Sequence, residues 1–247
     1  MAKRAIHLDH LLPDWPFVPG QVMVREVKGG DGRPLLQMRV ELGILQMEVQ
    51  GRPDGAKPEG FATYYDYVLS LSFAEGPAFQ LDFERCAQID REFYQYYHRR
   101  VCWLTLSRYP EVILDAEHSL SLMDFCAANS PDPQWTILHE QYRPFVMFHR
   151  IQALALGELE KSNPRAALEF VDKGLKELRA FFRANSALEQ FETDTFVEKL
   201  REMKKSISQL YQLGPTLAEQ LVQAIAAERY ELAAELRDRM ESRELKD

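Results

Sequence analysis

The sequence predicts an α+β fold that is mainly α: a small antiparallel β meander packed on an array of helical hairpins, with a further helical hairpin at the C-terminus. Three observations predict it. Apolar residues alternate with a period of two only within residues 22–49. From residue 60 onward the apolar period is helical and is interrupted at proline-bearing turns. After Gly214-Pro215 the composition shifts to alanine, glutamate and arginine. The chain therefore divides into an N-terminal arm and meander (residues 1–59), a helical body (60–213) and a C-terminal hairpin (214–247).

At 247 residues, with 46% apolar and 28% charged side chains, the chain is long enough for one large core or two modest ones. A net charge of −8 argues against a surface that embraces nucleic acid as a whole, because neutralising phosphates requires a concentrated positive face. The cysteines are Cys86, Cys102 and Cys126, odd in number and without a C-x-x-C pair. Neither a disulfide framework nor a thiolate zinc site is indicated, and the cytoplasm is the expected location. At the N-terminus Lys3 and Arg4 are followed by His7, Asp9 and His10, which interrupt the apolar core a signal peptide needs. No run reaches the roughly 20 apolar residues of a membrane-spanning helix, so no membrane is expected as a partner.

Residues 1–20 carry Pro13, Pro16, Pro19 and Gly20, which break any period, while Trp15 and Phe17 supply anchors for an ordered arm. Strands are expected over residues 22–27 and 34–49, joined by Gly29-Gly30-Asp31-Gly32, where glycine supplies the positive φ angles of a hairpin turn. In the second stretch Leu36, Met38, Val40 and Leu42 alternate with polar residues, but beyond Gly43 the apolar set moves to Leu45, Met47 and Val49. A glycine at this change of phase indicates a bulge or a bend between two strands. Arg39, Glu41, Gln46, Glu48 and Arg52 are expected on the solvated side of the sheet, with its other side covering the helices.

Helical periodicity then begins with Phe61, Tyr64, Tyr65, Val68 and Leu71 and breaks at Gly76-Pro77. Helices over residues 82–107 and 111–127 form one antiparallel pair, and helices over 132–160 and 165–184 form a second. Pro110 and Pro164 stand at the starts of the returning helices, where a missing N–H leaves no bond unmade. A single amphipathic helix is expected over 193–213, with Phe196, Val197, Leu200, Met203, Ile207 and Leu210 as its stripe. The spacing Leu106, Tyr109-Pro110, Ala116, Leu120 in one pair and Leu156, Pro164, Ala167, Gly174 in the other resembles tetratricopeptide-like hairpins. The period exceeds that repeat's, so the resemblance implies an architecture only.

In the C-terminal segment Thr216 and Glu219 are spaced as a capping box that starts a helix. Leu217, Leu221 and Ile225 recur every four residues, and a second stripe runs through Leu232, Leu236 and Met240. Two short amphipathic helices face each other, with Leu221, Ile225, Leu236 and Met240 expected to close the core and Tyr230 to cover its turn end. Ala224, Ala233 and Ala234 let the two backbones approach. A hairpin of under about 30 residues buries too little apolar surface to stand alone, so it must pack on its own body, a second copy or a partner.

The pattern L-x3-L-x2-A-I-x2-E-x-Y-E-x-A-A-x-L-R-D, from Leu217 through Leu221, Ala224-Ile225, Glu228, Tyr230-Glu231 and Ala233-Ala234 to Leu236-Arg237-Asp238, resembles the UVR (UvrB/UvrC) motif. The resemblance implies a helical hairpin that mediates protein–protein association. Such hairpins link subunits of bacterial nucleotide-excision repair and occur in Clp-ATPase-associated and protein-arginine-kinase activator proteins. Arg229 departs from the pattern, since an acidic or amide residue is common there. Upstream there is no G-x4-G-K-S/T phosphate loop, no nuclease signature and no paired C-x-x-C zinc site. The rest of the chain, with R-V-E-L-G-I-L-Q-M-E-V-Q-G-R-P-D-G at residues 39–55, resembles bacterial proteins in which this motif is the only recognised feature, and that resemblance implies no activity.

The remaining candidate chemistry is sparse. His98, Arg99 and Arg100 on one leading helix have counterparts in His149 and Arg150 on the other, and together they are candidates for a basic groove that takes a carboxylate, a phosphate or single-stranded nucleic acid. Set against this, Phe93, Tyr96, Tyr97, Phe145 and Phe148 read as core aromatics and the basic residues as a solvated face. Asp82, Glu84, Asp90, Glu92, Glu117 and His118 contain no H-E-x-x-H or E-x-x-H. Only Asp115 and His118 sit three apart on one face, so no metal and no cofactor is expected.

The function expected is that of a non-enzymatic cytoplasmic adaptor that docks through Leu221, Ile225, Tyr230, Ala234, Arg237 and Asp238. Its partner would be another UVR hairpin, as a homodimer or a repair subunit, or a Clp-type ATPase. Two alternatives stand beside it: a nucleic-acid-binding accessory of excision repair using the basic groove, and an enzyme whose site has no recognised motif.

Overall fold

A computed structural model describes residues 8–244, and Lys3, Arg4 and His7 of the N-terminal segment lie outside them. The chain forms two compact units, Met1–Val146 and Met147–Asp247. The meander shares the first unit with the leading helices, and the C-terminal hairpin shares the second with the trailing ones. Among the described residues no helix is long and apolar enough to cross a membrane.

In the first unit three strands, β1 (Met23–Lys28), β2 (Pro34–Val40) and β3 (Gly43–Glu48), form an antiparallel meander in the order β1-β2-β3. The first turn closes through Gly29 N to the Arg33 carbonyl at 2.8 Å, and Gly32 supplies the positive φ of 84°. The change of phase at Gly43 is a full reversal: Val40 pairs with Gly43 across Glu41 and Leu42, so the alternation restarts in a new strand.

One face of the sheet carries Leu36, Met38 and Met47, all buried, on the side where the sheet meets the second helix. The opposite face corrects the expectation of a solvated side, because Gln37 and Arg39 are each only 8% exposed. The N-terminal arm covers them. Arg39 Nε donates to the Trp15 carbonyl at 2.8 Å, and the Arg25 guanidinium lies 4.1 Å over the Trp15 ring. A polar ladder runs beneath, from Arg25 to Gln37 at 2.8 Å and from Gln37 to Gln46 at 3.0 Å. The sheet thus buries polar groups because each finds a cross-strand or arm partner.

Four helices follow in this unit: α1 (Tyr64–Glu75), α2 (Phe83–Thr105), α3 (Tyr109–Asn129) and α4 (Pro133–Glu140), and the fifth, α5 (Arg143–Glu160), begins in it. Thr63, Asp82 and Asp132 cap α1, α2 and α4 by accepting backbone N–H bonds. Val68, Leu81, Ile89, Leu122 and the buried thiols Cys86 and Cys126 form the core between α1, α2 and α3. Residues 132–160, expected as one helix, are two. The chain breaks at Gln141-Tyr142 and restarts with Pro144 in the first turn of α5, where its missing N–H is tolerated.

The second unit contains the rest of α5 with α6 (Pro164–Ala184), α7 (Leu188–Phe191), α8 (Thr195–Leu210), α9 (Leu217–Ala226) and α10 (Tyr230–Glu244). Pro110 and Pro164 occupy the first turns of α3 and α6, as their positions in the sequence require. Ile151, Leu168, Val171, Leu178, Leu200 and Ile207 are buried in this unit. Gly174 lets α6 pack tightly on α5, for a Cβ there would sit 2.4 Å from the Ile151 side chain.

Candidate functional site

The C-terminal hairpin begins at a complete capping box. Glu219 N donates to Thr216 Oγ1 at 3.3 Å, and Thr216 N donates to Glu219 Oε2 at 2.8 Å. At the far end α9 closes by two backbone bonds, Glu228 N to the Ile225 carbonyl at 3.0 Å and Arg229 N to the Ala224 carbonyl at 2.8 Å. Glu228 holds the left-handed conformation, φ 56°, that usually falls to glycine at this point. The turn is therefore set by backbone bonds in which Arg229 takes part.

The hairpin core is smaller than the periodicity implies. Ala224, Ala233 and Leu236 are buried, with Leu217 and Leu221 packed against them. Ile225 is 53% exposed and Tyr230 68% exposed, which corrects the expectation that the first closes the core and the second covers it. Leu232 is exposed as well. The reason lies in the alanines: Ala224 and Ala233 occupy the seam, and this turns their larger neighbours Ile225 and Leu232 outward. Met240 is half-buried.

Of the docking residues read from the sequence, Leu221 is half-buried at the seam, while Ile225, Tyr230, Ala234, Arg237 and Asp238 are exposed. Arg237 Nη2 lies 3.4 Å from Asp238 Oδ1, both side chains open to solvent. Val222 and Leu232 add to the exposed apolar set. Sequence reasoning missed Val222 because it lies off the four-residue stripe.

The base of the hairpin is tied to its own unit. Thr216 Oγ1 donates to Asp172 Oδ2 of α6 at 2.6 Å. Lys204 of α8 pairs with Asp172 and also lies 2.8 Å from Glu219 Oε1. Burial works against the Lys204 charge, but its bonds to Asp172 and Glu219 prevail and hold the ammonium above the usual lysine range. For Glu219 burial is likewise outweighed, by the Lys204 and Thr216 bonds, and the carboxyl lies below its ordinary value. A cleft of about 510 Å³ opens beside this node, lined in part by Arg201, Lys204, Lys205 and Glu219.

The proposed basic groove is not what its residues build. Arg99 and Arg100 are 3% and 2% exposed, so neither presents its charge to solvent. Arg99 binds both carboxylate oxygens of Asp115 at 2.9 and 2.7 Å and also donates to the Glu48 and Gly51 carbonyls. Arg100 donates to Ser119 Oγ at 3.0 Å, and burial pushes its guanidinium down to about 10. His98 is half-buried between the Tyr94 and Tyr97 rings, its pKa lowered by burial. His149 is buried, and Arg150 pairs with Glu177. His98, Arg99 and Arg100 lie in the first unit, His149 and Arg150 in the second. Arg99, Arg100 and Arg150 tie neighbouring helices together, a use that helical spacing alone does not reveal.

Glu92 shows the same principle. It is wholly buried on α2 and accepts the backbone N–H groups of Tyr64 and Tyr65 at 2.6 and 3.0 Å, the first turn of α1. His118 Nε2 lies 3.0 Å from it, the imidazole stacked on Tyr96 at 3.9 Å. The only signal in the sequence is an acidic residue on the apolar face between Ile89 and Tyr96. Asp115 and His118, the one pair at ligand spacing, thus serve different partners, Arg99 and Glu92. A cavity of about 260 Å³ near Gly51 is lined by Tyr96, Trp103 and the Arg99–Asp115 pair.

No curated protein and no solved structure matches this chain. Its C-terminal residues 215–244 match the UvrB/uvrC motif, and they form the capped helical hairpin described above: the chain carries a UVR motif.

Proposed function

We propose that this protein is a non-enzymatic adaptor that docks, through its C-terminal hairpin, onto repair or proteolysis machinery. The observation that carries the reading is the inversion of the hairpin: alanines fill its seam while Val222, Ile225, Tyr230 and Leu232 stand in solvent. Apolar side chains clustered on so small an element favour burial against another protein surface. Tyrosine and isoleucine are suitable anchors, and Arg237 and Asp238 at the edge set register more than affinity. The match to the UVR motif supports a protein partner of that hairpin, and the partner proposed is another UVR hairpin or a Clp-type ATPase.

The test is affinity capture from the native cell with the full chain and with an Ile225→Asp, Tyr230→Ala variant. Both positions are exposed, so the variant keeps the hairpin core intact. The reading expects a UVR-motif protein or a Clp-type ATPase to be captured by the parent chain and lost with the variant. Recovery of the same proteins by both would refute it.

A further inference from the structure

We propose that the hairpin is a releasable arm, held on its body by an ionic clasp of Asp172, Lys204, Thr216 and Glu219 in place of an apolar interface. The inference concerns the protein alone and does not require the docking reading to hold.

The apolar cluster of the hairpin, Ala224, Ala233 and Leu236 with Leu217 and Leu221, is drawn from hairpin residues alone. The extensive contacts of α9 are with α10. Among the described residues, the side-chain bonds that join α9 to α6 and α8 are polar. Asp172 on α6 accepts from Thr216 and pairs with Lys204, and Lys204 on α8 reaches Glu219, which caps α9. The clasp therefore joins three helices through two carboxylates, one ammonium and one hydroxyl. Between α8 and α9 the chain runs through Gly214-Pro215, where a Cβ on Gly214 would meet nothing, so the joint is not wedged by packing.

Two consequences distinguish such a clasp from a packed interface. An apolar contact is insensitive to added salt or strengthened by it, whereas a charged one weakens as ions screen it. The cleft lined by Arg201, Lys204, Lys205 and Glu219 gives ions a route to the clasp. The internal core of the hairpin uses none of these groups. Opening the clasp thus frees the orientation of the arm, and the exposed Ile225 and Tyr230 take no part in the clasp.

The experiment is a distance measurement on the full chain, with spin labels at Glu202→Cys on α8 and Glu235→Cys on α10. Cys86, Cys102 and Cys126 are buried and leave the added thiols as the reactive ones. The expected distance distribution is narrow for the parent clasp at low salt and broadens in Lys204→Met. At about 1 M salt, where the screening length falls to roughly 3 Å, the parent distribution moves towards that of the variant. Asp172→Asn, which keeps the shape of the side chain, should broaden it in the same direction. Distributions that superimpose for parent, Lys204→Met and Asp172→Asn at both salt concentrations would overturn the proposal. Because no partner enters the measurement, this failure is separate from a failure of docking.

Discussion

Arg99 of α2 and Asp115 of α3 meet side-on and buried, with the guanidinium Nε and Nη2 at 2.9 and 2.7 Å from the two carboxylate oxygens. The pair ties the helices of one hairpin together, and Arg99 extends the tie to the Glu48 carbonyl at the end of β3 and the Gly51 carbonyl in the turn beyond it. Asp115→Ala leaves a buried cation without its carboxylate and should cost about 3–5 kcal/mol of stability. Replacing both partners, as Arg99→Met with Asp115→Leu, should cost much less than the sum of the single changes. Urea unfolding of the single and double variants checks both statements.

Gly174 of α6 faces Ile151 of α5 with no room for a Cβ. Gly174→Ala drives a Cβ into Ile151 and should destabilise by about 1–3 kcal/mol despite the higher helix propensity of alanine. Adding Ile151→Ala should relieve that clash, so that the double variant is more stable than the sum of the two single effects predicts. Thermal melts of the four proteins decide the matter.

Glu228 occupies a left-handed position at the end of α9 with φ 56°. Glu228→Gly should stabilise the hairpin by roughly 1 kcal/mol, because glycine adopts this conformation without a Cβ clash. The change lies outside the hairpin core, so partner binding should persist. Amide exchange of α9 and α10 is the appropriate readout, and slower exchange is expected.

Burial lowers the pKa of His98, and the facing Tyr94 and Tyr97 rings supply no charge to offset it. Its neutral form is favoured in the folded chain, so the stability it contributes is full above the unfolded value of 6.5 and declines as pH falls through the lower folded value. His139 is lowered too, burial outweighing the opposing effect of Asp90. Unfolding measured between pH 7.5 and 5 should show stability falling with pH, and His98→Gln should flatten the slope.

The elements that follow a strong period were legible: the antiparallel meander, with bulge or reversal at Gly43 left open, the pairing of α2 with α3, and the capping box at Thr216. Helix ends were harder to place. The chain leaves α2, α5, α6, α8 and α9 through Ser107, Ser162, Ser186, Gln212 and Glu228, all at positive φ and none of them glycine. The signal normally used to end a helix is therefore absent. Burial was the other blind spot. Arg99, Arg100, Glu92 and Arg39 look solvent-facing by residue type, yet each finds its partner on another segment, which no local pattern records. The same limit hid the inside of the hairpin, where alanine took the seam and left Ile225 outside.

The central claim is that Ile225 and Tyr230 anchor a partner protein. The most direct measurement is the affinity of the full chain for the partner it captures, compared with Ile225→Asp, Tyr230→Ala and with a control at Leu42, an exposed apolar residue on the β2–β3 turn. If the two residues are anchors, the variant should bind at least about thirtyfold more weakly, the loss of 2 kcal/mol or more that marks such positions, while Leu42→Asp stays near the parent value. Equal affinities for the parent and the Ile225→Asp, Tyr230→Ala chain would contradict the account.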